Sequence, residues 1–293
     1  MLKKHSIENE FLKITVQETG AELGSIFNKD NQKEYLWQAD PEIWGSHAPN
    51  LFPIIGVIKD GIYKYEGKEY SVPKHGFIRH NEKIRLKERT EHQLVFELLY
   101  SEETLEMYPF KFDFRIAFTL IGKSLEVNHQ IINLDEKPIL FSLGGHPAFN
   151  ILHFEGEKIE DYFLEFDKKK DLDTYLLNED GLISSKTENV LKNDNKIQLT
   201  EHLFDHDALI FKDIKSKKVD LVSVKNGRIL SVEYKDFKNL GIWAKPGAPY
   251  VCIEPWLGIA DVEGTDQNLE NKEGILKLSA ENEFNADYTI NIS

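Results

Sequence analysis

Apolar residues recur at every second position from Phe110 through Phe112, Phe114, Ile116 and Phe118 to Leu120, while Lys111, Asp113, Arg115 and Thr119 fall between them. That period of two is the mark of a strand with one buried and one wet face. Gly122-Lys123-Ser124 then reads as a turn, and Leu125 to Ile131 alternates again, so the region predicts a long β-hairpin. Ile62 to Tyr65 and Tyr70 to Val72 flank Glu66 to Glu69 in the same way. Leu221 to Val224 and Ile229 to Tyr234 flank Asn226-Gly227, a dipeptide suited to a type I′ turn because both residues accept positive φ. Further strands are expected at Leu12 to Val16, Gln93 to Leu99, Ile139 to Leu143 and Tyr288 to Ile292. Helix signals are few: Pro41 to Trp44, and Ser101 to Met107 with Ser101 as N-cap and Pro109 as the stop.

Hairpin-joined strands pair antiparallel, so the expected fold class is all-β, a large antiparallel β-sandwich. Residues 1–293 are read as one domain, since no Pro/Gly/Ser linker or repeat divides the chain. The polar stretch Asp167 to Lys196 reads as a pair of solvated hairpins. Met1 to Ser6 leads into Ile7-Glu8-Asn9-Glu10 instead of an apolar run, so no secretory leader is expected. With the single Cys252 in view, the expected location is the cytoplasm.

Composition narrows the partners. The 293 residues carry 36 basic and 50 acidic side chains, a net charge of −14, which repels phosphate backbones and anionic lipid. Neither nucleic acid nor a membrane surface is an expected partner. A 41% hydrophobic content is enough to bury a sizeable core.

Three segments interrupt the strand pattern with chemistry. They are Lys74-His75-Gly76-Phe77-Ile78-Arg79-His80, Ser142-Leu143-Gly144-Gly145-His146-Pro147-Ala148-Phe149-Asn150 and Cys252-Ile253-Glu254-Pro255-Trp256-Leu257-Gly258. The imidazole of His146 exchanges protons near neutral pH, and the preceding glycines let its backbone approach a ligand closely. Glu254 lies in an otherwise apolar strand end, where an apolar wall makes a carboxylate a better base and the Trp256 indole offers a platform for sugar C–H faces. The structural alternative for Glu254 is a buried pair with a lysine such as Lys245. His202 and His206 have the spacing of helical zinc motifs but no helical context. Cys252 reads as a buried, inert thiol, and Asp207 with Glu254 as a glycosidase pair would leave the histidines idle.

Taken in order, the His-Gly-Phe-x-Arg, Gly-Gly-His-Pro-x-Phe-Asn and Ile-Glu-Pro-Trp-x-Gly segments resemble the aldose 1-epimerase (galactose mutarotase) family, in its bacterial LacX-type branch. The resemblance runs from Asn50-Leu51-Phe52-Pro53-Ile54-Ile55-Gly56 to the last strands. It implies Glu254 as general base, His146 as general acid and His75 as a hydrogen-bonding partner near the ring oxygen, with no metal or organic cofactor. It also implies sugar contacts from Asn50, Arg79, Asp207 and Trp256, with Trp243 either lining the pocket or packing as a strand aromatic in the core, and a small-molecule aldose, free or phosphorylated, as partner to a monomer or homodimer. Val57 stands where the family often has an arginine; Lys59 is the candidate substitute. The competing expectation is a sugar-binding or regulatory protein without turnover. If His146 is the acid, neighbouring carboxylates should raise its pKa.

Overall fold

The computed structural model describes residues 3–293; Met1 and Leu2 of the N-terminal segment lie outside the described residues. The expected all-β antiparallel sandwich is what forms. A 15-stranded sheet runs from Asn50–Leu51 at one end, through Leu143–Gly145, Tyr250–Leu257 and Asn239–Trp243, to Gln93–Leu99 and Arg85–Arg89 at the other. A four-stranded sheet of Lys4–Glu8, Leu12–Gln17, Glu22–Asn28 and Lys33–Glu34 accompanies it. No helix among the described residues is long and apolar enough to cross a membrane.

The predicted long hairpin is Phe112–Ile121 paired with Ser124–Asn133, and strict burial alternation along the second strand sends Leu125, Val127, His129 and Ile131 into the core. The short helix Glu102–Met107 starts at Ser101, whose hydroxyl accepts from the Thr104 N–H at 3.3 Å while Thr104 caps back in return.

Four local readings are corrected. Pro41 to Trp44 is a turn, because the Asp40 carboxylate accepts the Glu42 N–H at 2.9 Å and its carbonyl accepts those of Ile43 and Trp44. The connection after Tyr65 is only Glu66-Gly67, both at positive φ. At Asn226-Gly227 only Gly227 takes positive φ, because the Ser223 hydroxyl captures the Lys225 and Asn226 N–H groups and closes a three-residue loop. The polar stretch is a single hairpin of two 16-residue strands, Tyr162–Leu177 and Ile183–Gln198, whose register shifts repeatedly between Glu165 and Leu177. Just past its turn, Asn178 to Leu182, Ile183 makes an isolated parallel bridge to Val262.

Among the described residues the longest strand buried at every position is Tyr250–Leu257, covered on both faces. A strand covered on both sides is expected to be continuously apolar, so the carboxylate of Glu254, 1% exposed, needs a chemical reason to be there.

Candidate active site

Register brings the two central groups together. Leu143–Gly145 and Ala148–Asn150 both pair with Tyr250–Leu257, and the offset is the same on the two sides of the break. That continuity sets His146 directly across from Glu254. The ladder thins at this point, since Pro147 and Pro255 have no N–H to give. The Ile253 N–H still reaches the Pro147 carbonyl at 3.2 Å, and on the opposite side the His146 N–H continues the register with Asn50–Leu51 by donating to the Pro49 carbonyl at 3.0 Å. The imidazole Nε2 lies 3.2 Å from Glu254 Oε2. On the other flank Gly241 faces Glu254, and it must be glycine: a Cβ there would stand 2.4 Å from the Trp256 ring.

His75 arrives from a tight turn in which it and Gly76 both have positive φ. A side chain at Gly76 would meet the Phe52 carbonyl at 2.0 Å, so the turn excludes every other residue. The Gly56 N–H donates to His75 Nδ1 at 3.1 Å. A neutral imidazole accepting at Nδ1 carries its proton on Nε2, so His75 is held as a hydrogen-bond donor beside His146, with ring centroids 5.7 Å apart.

These groups open onto a cavity of about 220 Å³. Of the residues expected to form the site, His75, Arg79, His146, Asp207, Trp243, Glu254 and Trp256 line it. Two do not. Asn50 is buried away from the lining, donating to the Gly20 and Ala21 carbonyls at 2.9 Å, where it ties the N-terminal sheet to the main one. Lys59 lies in a short turn, its N–H on Asp261 Oδ2 at 3.0 Å, outside the lining. Val57 lines the wall, and Lys74 joins Arg79 as a cation there. Lys245 does not pair with Glu254; its ammonium reaches the Glu42 carbonyl. His202 sits in an exposed turn with Asp205, not on a helix.

Sequence reasoning missed Trp44. Its indole stacks on the His146 ring at 5.1 Å and meets Trp243 edge-on at 5.6 Å. The available signal was a large aromatic in a turn between Asp40 and Gly45, where a solvated loop has no use for one. Leu177 and Gly181, at the tip of the polar hairpin, also line the cavity.

The electrostatics reverse one expectation. Burial, with Arg79 and Lys74 nearby, lowers the His146 pKa to about 3, so no carboxylate raises it. Burial pushes the Glu254 carboxyl well above its ordinary range, and Asp207 at the mouth adds to the rise against Lys74 and Arg79. His75 is also held well below its usual value, first by desolvation and then by His146. Burial thus favours the uncharged form of each group, a neutral imidazole facing a protonated carboxyl. Arg79 Nε, His146 Nδ1, Glu254 Oε2 and Trp256 Nε1 are buried without hydrogen-bond partners. Orphaned donors and acceptors around one cavity are groups that a polar ligand can pair.

A family model described as aldose 1-epimerase matches residues 3–261. A Lactococcus lactis protein named Protein LacX, chromosomal, is 36% identical over 295 residues, covering 98% of each chain. A Lactobacillus acidophilus structure described as a galactose mutarotase related enzyme superposes with a TM-score of 0.93 at 35% identity, over 99% of this chain and 97% of that one. A galactose mutarotase-like protein from Lactobacillus casei gives 0.92 at 28% identity, over 99% of this chain and 100% of that one.

Proposed function

The chain belongs to the aldose 1-epimerase family and is an isomerase of mutarotase type; from that premise we propose that it interconverts the α and β anomers of a free aldohexose by acid–base opening of the ring. The observation that carries this reading is the His146–Glu254 opposition, 3.2 Å apart in a cavity of sugar-binding chemistry. A sugar hydroxyl donating to Glu254 favours its ionised form, and the pair's proton then moves to His146. Glu254 takes the proton from the anomeric hydroxyl, the C1–O5 bond breaks with its electrons on O5, and O5 takes the proton from His146. The products are an open aldehyde and a pair that again has its proton on the carboxyl, the arrangement that burial favours. Rotation about C1–C2 and the reverse steps close the ring on the other face. His75 Nε2–H donates near the ring oxygen throughout, and Trp243, Trp256 and Trp44 supply the apolar faces.

Polarimetry of fresh α-glucose and α-galactose should show mutarotation faster than in buffer alone. Glu254→Gln should lower that acceleration by about 10²–10⁴ while the protein stays folded. A protein that accelerates no aldose, free or phosphorylated, yet binds one calorimetrically, would be a sugar-binding module instead.

A second reading has its own support: Lys74 and Arg79 on the wall can take a phosphate on the sugar. Val57 supplies no such donor, and the net charge of −14 disfavours an anion, so the neutral sugar leads; rates on glucose against glucose 6-phosphate decide. Under this reading the enzyme is cytoplasmic, in keeping with its single free cysteine.

A further inference from the structure

Cys252 takes no part in that chemistry, yet it stands next to it. It shares a strand face with Glu254, two residues away, and is fully buried. Its cross-strand partner is Ala148, so the thiol is diagonal to His146. The nitrogen, sulfur and oxygen ligand atoms of His146, Cys252 and Glu254 all lie within 4.8 Å of one another. Tetrahedral zinc with bonds of about 2.0–2.3 Å holds its ligand atoms roughly 3–4 Å apart. The His146–Glu254 separation of 3.2 Å is already in that range, and the group as a whole, within 4.8 Å, closes to it when the thiol swings inward.

We propose that His146, Cys252 and Glu254 form a binding site for one Zn²⁺ ion, which inhibits the enzyme reversibly by occupying its acid and its base. The donor set suits this ion: a soft thiolate, a neutral imidazole and one carboxylate. Thiolate and carboxylate together cancel the ion's two charges, so the buried complex carries none. Glu254 Oε2, 1% exposed as a residue and aimed at the His146 Nε2, has no hydrogen-bond partner. Glu254 and His146 face the cavity whereas Cys252 does not, which leaves the fourth coordination position open towards the cavity for water or a sugar hydroxyl. The thiol and carboxyl protons leave to solvent as the ion binds.

Binding is read without substrate, so its outcome is independent of the mutarotase reading. Co²⁺ titrated as a zinc surrogate into the full-length reduced protein should reach one equivalent and give a thiolate-to-metal charge-transfer band. Cys252→Ser and Cys252→Ala should both abolish the band. In polarimetry, Zn²⁺ should slow the wild-type protein, EDTA should restore it, and either variant should turn over normally while needing at least about tenfold more Zn²⁺ for the same inhibition. Absence of the band from the wild-type protein overturns the proposal. So does a band that survives in both variants, or Zn²⁺ that inhibits wild type and variants at the same concentration.

Discussion

At the residue scale, the proposed catalysis turns on one proton that His146 and Glu254 exchange. His146 gains a second proton only near its lowered pKa of about 3, and the pair loses its single proton only above the raised Glu254 value. Activity in non-catalytic buffers should therefore hold through mildly acidic pH and fall on the alkaline side as the pair empties. A rate that collapses between pH 7 and 5 would contradict this assignment. His129 provides a separate test on stability. It is fully buried among Phe114, Phe237 and Tyr288 with both ring nitrogens unpartnered, and burial lowers its pKa to about 3. A base with a depressed folded pKa loses stability as pH falls below its unfolded value of about 6.5, at about 1.4 kcal/mol per unit. Urea melts of His129→Leu should show about 2 kcal/mol less destabilisation than wild type between pH 6.5 and 5. The sequence motifs located His75, His146 and Glu254, but not their protonation, because burial depends on what the fold stacks around them. Asn50 and Lys59 had the right neighbours in sequence and the wrong direction in space.

At the element scale, the cavity wall depends on three segments meeting at one carboxylate. Asp261 accepts the Lys272 ammonium at 2.6 Å and the Lys59 N–H at 3.0 Å. Its own N–H goes to the Val57 carbonyl, and its carbonyl accepts from Ile183 at the end of the polar hairpin. Lys272 and Asp261 are each only 4% exposed as side chains, so removing one leaves the other a buried, unpaired charge. Lys272→Met should cost about 3–5 kcal/mol in chemical denaturation, and Asp261→Asn in that background should recover part of it. An unchanged midpoint for Lys272→Met would show that the pair stabilises nothing. Periodicity made the hairpins legible, since alternation survives in Phe112–Ile121 and Ser124–Asn133. It gave no warning that the hairpin Tyr162–Leu177 and Ile183–Gln198 ends in the cavity wall, because its exposed middle carries the polar signal while its base and its tip turn inward.

At the scale of the whole molecule, the fold class followed from hairpins alone, whereas the register across the His146–Pro147 break required the assembled sheet. That sheet also gathers a residue type that the sequence scatters. The chain has four tryptophans. Trp44, Trp243 and Trp256 line the cavity, and Trp37 lies behind them, its indole N–H on the Trp44 carbonyl at 2.8 Å. Because Trp44 stacks on the His146 ring, a bound sugar changes the surroundings of the chain's indoles as a group. The protein thus carries its own optical probe: ultraviolet emission excited at the indole band should shift or quench saturably as an aldose is added, with no dye attached. Emission indifferent to a sugar that calorimetry shows to bind would place that sugar outside the tryptophan-walled cavity. Light from this molecule reports on a single place, and the affinity of each candidate aldose can be read from it directly.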